Sequence, residues 1–228
     1  MTASTHTNKA TILALALVAG VFAMQAGHAF SRPIALPDPK ADIPVANVKG
    51  DQIAMFAGGC FWGVEAVFEH VNGVKRVTSG YAGGNSATAR YEIVSTGLTK
   101  HAESVKIVYD PSVVSYGQLL KAFFSVAHDP TMLNRQGPDT GPQYRSEVFA
   151  LSDAQAKVAK AYIAQLNAAH VFAHPIVTVV DGAKPFYPAE EHHQNYAARN
   201  PRDAYIVVND APKVVALKEF LPKLYRGG

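Results

Sequence analysis

The chain has one cysteine, Cys60, and one tryptophan, Trp62, in 228 residues. A lone cysteine excludes any disulfide within the chain. Only 17% of residues are charged, and the formal net charge is +3. No cluster of lysine and arginine stands out, so a nucleic-acid partner has no electrostatic support. No G-x-G-x-x-G follows a strand-like run and no P-loop is present, so no nucleotide cofactor is inferred. H-E-x-x-H is missing, which removes the plainest zinc signature. There is no internal repeat.

The N-terminus carries an export signature. Lys9 is the sole charged residue in 1–29, and Thr11 to Gln25 is almost wholly apolar. Gly27 and Ala29 are small residues at −3 and −1 of a cleavage site after Ala29. The alternative is an uncleaved membrane anchor, but the run is short against the roughly 20 residues a spanning helix needs. No cysteine lies near the cut, which argues against a lipid anchor. The expectation is a signal peptide at 1–29 and an exported chain, placed in a bacterial periplasm, with no membrane contact after cleavage. About 199 residues and a charge of +2 remain. Residues 30–50 hold Pro33, Pro37, Pro39 and Pro44 without periodicity, and read as an extended linker. Residues 51–228 read as one domain, expected to be a monomer. A free thiol in an oxidising compartment points to function and demands a supply of reductant.

The rest of the chain is organised around Gly58-Gly59-Cys60-Phe61-Trp62-Gly63. Gln52 to Ala57 before it reads as a buried strand. Val64, Val67, Phe68 and Val71 after it mark one face of a helix. Cys60 therefore sits where a strand becomes a helix, and the glycines permit the turn. Unpaired N–H groups at a helix start favour thiolate over thiol, which makes Cys60 a candidate nucleophile. The alternative is an inert buried thiol.

Further along, Val74–Tyr81, Ser104–Tyr109, Arg145–Leu151, Ile176–Val180 and Asp203–Val208 read as strands. Tyr91–Val94 reads as a short strand or a helical turn. Helices are expected after Ser115, from Ser152 to Ala169 and from Lys213 to Leu224. His128–Tyr144 is a long polar loop of the kind that carries function. Pro185–His193 is a loop entering a short helix. The irregular alternation predicts an α+β fold, a two-layer sandwich of mixed, largely antiparallel sheet with packed helices.

A thiolate that attacks a substrate needs an acid. Glu103 qualifies if burial raises its pKa, and is otherwise an exposed strand-edge charge. Tyr91 and Tyr144 are either ordinary packed aromatics or donors to a substrate oxygen.

Several segments, in order, resemble the A-type peptide methionine sulfoxide reductases. Gly59-Cys60-Phe61-Trp62-Gly63 matches that family's signature. So do Gly80-Tyr81-Ala82-Gly83-Gly84, Arg90-Tyr91-Glu92, His101-Ala102-Glu103-Ser104-Val105 and Val108-Tyr109-Asp110-Pro111. His128-Asp129-Pro130, Arg135-Gln136-Gly137 with Asp139, Gly141-Pro142-Gln143-Tyr144-Arg145-Ser146 and Phe186 to Gln194 complete the set. The resemblance spans about residues 51–198 and implies a ferredoxin-like core. It implies a substrate, the S-epimer of methionine sulfoxide, free or in oxidised proteins. It implies Cys60 as nucleophile, Glu103 as acid, Tyr91 and Tyr144 as donors to the sulfoxide oxygen, Phe61 and Trp62 as a cradle for the S-methyl group, and Asp139 as an orienting group. No metal or other cofactor is implied.

The chain departs from that family's pattern in two places. Many members carry further cysteines near the C-terminus, and Asn200–Gly228 has none. An external thiol, from a thioredoxin-like protein or a small thiol, must then regenerate Cys60. His192 stands where a tyrosine is common. Two other readings compete: a Cys-His hydrolase using one of the histidines as base, and a metal-binding module built on Glu190, Glu191, His192 and His193.

Overall fold

The chain's most apolar strand, β1 (Gln52–Gly58), lies inside a six-stranded sheet because both of its faces are covered. In the computed structural model, which describes Met1, residues 33–45 and residues 49–227, Ala54 and Phe56 face the main core. Met55 and Ala57 face a smaller cluster with Ala82, Ala102 and Phe149. A strand buried on both sides needs a continuous apolar run rather than alternation. The expected signal peptide, apart from Met1, lies outside the described residues.

Helix α1 (Phe61–Glu69) follows directly. Val64, Val67, Phe68 and Val71 are all buried, as their spacing predicts. Strand β2 (Val74–Ala82), helix α2 (Tyr91–Val94) and strand β3 (Ala102–Tyr109) come next. Helix α3 (Tyr116–Ala122) starts at Ser115, whose hydroxyl accepts from Gln118 N–H while the Gln118 side chain caps back. A π-helical turn, Phe123–Ala127, extends it. The long polar loop is more structured than expected. It contains a minimal hairpin, β4 (Arg135–Gln136) with β5 (Asp139–Thr140), and a 3₁₀ turn at Pro142–Tyr144. Strand β6 (Ser146–Ala150) and helix α4 (Asp153–Ala168) follow. Then come β7 (Val179–Gly182), β8 (Phe186–Pro188), α5 (Tyr196–Arg199), a second π-helical turn at Ile206–Asp210, and α6 (Ala211–Phe220).

The sheet order is β7-β6-β1-β3-β2-β8. The β1 pairs with β3 and β6, and the β2 pairs with β3 and β8, are antiparallel, while β6 and β7 are parallel. The inner four strands, β6-β1-β3-β2, with their crossing helices, form the ferredoxin-like core of an α+β sandwich. Phe56 links the layers, stacked on Phe123 with centroids 4.8 Å apart.

Three local expectations are corrected. Residues 204–208 are helical and Asp203 precedes them, so 203–208 is not a strand. Asp203 Oδ1 accepts from Tyr205 N–H at 2.8 Å and nucleates the helix, while β7 and β8 close the sheet's edges. Residues 176–178 lie outside the strand, because Ile176 N–H and Val177 N–H are taken by Asn167 Oδ1 and the Pro130 carbonyl. The loop at 185–193 contributes edge strand β8. Tyr91–Val94 resolves as a helical turn.

The described part of the Pro-rich segment has extended stretches and packs along the domain. Leu36 enters the core at 3% exposure. Tyr162 Oη donates to the Pro37 carbonyl at 2.8 Å, and Gln165 bonds both Lys40 N–H and the Asp38 carbonyl. Asp42 accepts from Gly117 N–H and the Ser115 hydroxyl. The segment straps α4 to the start of α3.

Candidate active site

Cys60 is the N-cap of α1, at the end of β1. Gly59 has φ +89°, and a Cβ there would lie 2.6 Å from Gln136 Cβ. A Cβ on Gly58 would meet the Phe123 ring at 2.9 Å. The glycines thus let the strand end approach the Gln136 loop and the first π-helical turn. Gln136 is itself fixed, its amide bridging the N–H and carbonyl of Asp129 at 2.9 and 2.6 Å.

Cys60 is buried, with 9% of the residue exposed. Burial pushes its pKa well up, and the charges of Glu103 and Asp210 push the same way. Trp62 N–H, at the helix start, opposes them and loses. The thiolate expected from helix position alone is therefore corrected: the resting group is a thiol, because desolvation outweighs the helix terminus.

Glu103 sits inside the sheet on β3, across from Tyr81, at 2% exposure. Its Oε2 accepts from Phe61 N–H, one residue past Cys60, at 3.1 Å. Burial pushes its pKa up to about 8, with Asp139 and Asp210 adding to the rise and the Phe61 bond opposing it. It carries a proton at neutral pH, and the exposed strand-edge alternative does not hold.

Tyr91 opens α2, with its N–H donated to Glu190 Oε1 at 2.9 Å. Tyr144 ends the 3₁₀ turn. Burial raises both phenols, and both feel Glu103, Cys60 and Asp139, so they share one site and remain donors. Asp139, on β5, accepts from the Tyr205 hydroxyl. Phe61 is turned inward at 1% exposure, packed on Tyr81 and His193. Trp62 is half-buried, stacked on Tyr196 at 3.8 Å and edge-on to Tyr205 at 5.9 Å. Its indole N–H donates to His193 Nδ1 at 3.2 Å. The arrangement brings together a buried thiol, a buried carboxyl, two phenols and an aromatic wall.

Three described histidines that could serve the hydrolase reading as base are engaged by other groups. His193 Nδ1 is occupied by Trp62. His128 is held between the Phe123 carbonyl and the Ser146 hydroxyl, and burial lowers its pKa to about 4. His101 is bonded to Gly84 N–H and the Asn85 carbonyl. Among the described residues, no three His, Cys, Asp or Glu side chains are placed to hold a metal ion. Glu190 instead links Tyr81 Oη, at 2.8 Å, to Tyr91 N–H.

The model for the peptide methionine sulfoxide reductase family matches residues 52–223. The chain belongs to that family. A peptide methionine sulfoxide reductase of Mesorhizobium japonicum is 57% identical over 77% of this chain and 90% of its own length. One of Synechocystis is 53% identical over 89% of this chain and 93% of its own. The structure of methionine sulfoxide reductase A of Corynebacterium diphtheriae superposes with a TM-score of 0.56 at 33% identity, covering 75% of this chain and 85% of the other.

Several residues of this reductase-family site escaped the sequence reading. Tyr205 and Asp210 were hidden because β-branched Ile206, Val207 and Val208 suggested a strand. Lys213 reads as an ordinary helix-surface residue, yet it is 5% exposed beside Asp210. Tyr196 carries no local signal. Gly63 is explained by the same pair: a Cβ there would lie 2.1 Å from Asp210 Oδ1 and 2.6 Å from Lys213 Nζ.

Proposed function

We propose that this chain reduces methionine-S-sulfoxide, free or in oxidised proteins, to methionine, and so repairs oxidised proteins. The observation that carries the mechanism is Glu103, buried and hydrogen-bonded to the amide next to Cys60. The sulfoxide oxygen takes the Glu103 proton as the Cys60 sulfur bonds to the substrate sulfur. Tyr91 and Tyr144 donate to that oxygen as it gains charge. The thiol proton passes to the vacated Glu103 carboxylate. Oxygen then transfers to Cys60 as the S–S bond breaks, leaving methionine and Cys60 sulfenic acid. Two electrons leave the thiol and enter the sulfoxide, and protons balance.

Trp62, with Tyr196 and Tyr205, walls the methyl group, Phe61 backs that wall, and Asp139 orients the substrate through its bond to Tyr205. The chain holds no second cysteine to form a disulfide. Two external thiols therefore return Cys60 to the thiol, releasing water and their own disulfide. A thioredoxin-like dithiol protein or a small thiol fits this role. The apolar segment before Ala29 supports export to a periplasm, where such a thiol must be supplied.

A single-turnover assay without reductant tests the reading. The reduced protein is mixed with each epimer of a methionine sulfoxide peptide. One methionine per enzyme from the S-epimer, trappable sulfenic acid on Cys60, and none from Cys60→Ser are expected. No methionine from either epimer would overturn it.

A further inference from the structure

Three carboxyls act on Cys60: Glu103 and Asp210, which are buried, and Asp139, which is half-buried. Burial disfavours every one of their charges, so they do not all ionise alike. Their partners differ. Asp210 Oδ1 is 3.0 Å from Lys213 Nζ, in a pair whose side chains are 0% and 7% exposed. Its second oxygen, Oδ2, has no hydrogen-bond partner among the described residues. Asp139 accepts from the Tyr205 hydroxyl and also feels the Lys213 charge. Glu103 has one backbone amide. The other groups facing the cluster are Tyr91, Tyr144 and Tyr205, phenols at neutral pH. His128 faces Lys213 as a neutral ring, and Asp203 faces Asp210.

The Asp210–Lys213 pair is pressed onto the first turn of α1 at Gly63, where no side chain intervenes. An ammonium fixed there stabilises the carboxylates beside it and leaves the proton with the carboxyl that has the weakest support. We propose that Lys213 is a positioning residue that assigns the proton of this cluster: it keeps Asp210 and Asp139 ionised and leaves Glu103 as the acid. The inference rests on the reading that Glu103 donates the proton. It also gives this family member's cysteine-free C-terminal helix a part in the chemistry.

Infrared spectroscopy of the full chain near neutral pH tests it through the carbonyl band of protonated carboxyls. Lys213→Met is expected to gain a protonated-carboxyl band that disappears in the Lys213→Met, Asp210→Asn double variant. Lys213→Arg, which keeps the charge, is expected to retain the wild-type bands. A Lys213 that merely supports the fold would lower the melting temperature and leave the bands unchanged, and unchanged bands in Lys213→Met would overturn the proposal. Asp210→Asn covers the case in which Lys213→Met does not fold. Removing a carboxylate near Cys60 should shift the pH profile of thiol alkylation down by roughly one unit. An unmoved profile would mean that Asp210 carries no charge in the native protein, which also overturns the proposal. Neither readout uses sulfoxide reduction. An inactive wild-type protein would sink the proposed function and leave this test standing.

Discussion

At Cys60 and Glu103 burial sets the ionisation of both groups. The helix start offers the sulfur one amide, and desolvation defeats it. The same burial gives Glu103 a proton near neutrality. Glu103→Gln keeps the shape and the Phe61 N–H bond but has no proton to give. Single-turnover methionine formation is expected to slow by roughly 10²- to 10⁴-fold with the melting temperature little changed. In the proposed mechanism Glu103 must be protonated to act. The single-turnover rate should therefore fall as pH rises through about 8. Stopped-quench measurement across pH checks both outcomes, and a flat profile would remove Glu103 from the acid's role.

Among the elements, the two π-helical turns meet the site from opposite sides of the sequence. The first places the Phe123 ring under Gly58, and the second delivers Asp210 to Gly63. Such turns widen a helix by one residue and often occur where a helix must present a functional group. Gly63→Ala drives a methyl into the Asp210–Lys213 pair. It should cost roughly 1–3 kcal/mol and displace α6 from α1. Urea unfolding measures the cost, and a midpoint equal to wild type would show that the pair yields freely.

Across the whole molecule, stability is bounded by pH from both sides. His128 is held neutral, its pKa lowered to about 4 by burial. The unfolded chain binds that proton first, so stability drops as pH falls from about 6.5 to about 4, by up to roughly 3 kcal/mol. Glu103 has the opposite sign. The native state keeps a proton that the unfolded state releases, so this contribution declines as pH rises from about 4.5 to about 8. Urea midpoints measured across pH should give a dome, with His128→Gln losing the slope on its acid side. The Pro-rich strap acts at the same scale. Deleting residues 30–45 uncovers the Leu36 site and breaks the Tyr162, Gln165 and Asp42 bonds. A lower melting temperature is expected in thermal unfolding, since the strap bonds α3, α4 and, through Ile34 N–H and the Ser125 carbonyl, the first π-helical turn.

The sequence by itself determined whatever depends on neighbours along the chain. The apolar run of β1, the i, i+3, i+4, i+7 face of α1, the Ser115 and Ser152 caps and the cysteine at the strand–helix junction were all legible, because periodicity and capping are local. The ordered motifs pointed to the family and, through it, to Cys60, Glu103, Tyr91, Tyr144 and Asp139. Only the tertiary structure decided the protonation states, because desolvation is set by what packs around a group and not by its position in a helix. Only the fold brought Asp210 and Lys213 to Gly63, and Tyr196 and Tyr205 to Trp62. Those contacts join residues more than a hundred positions apart, and nothing local to either partner records them.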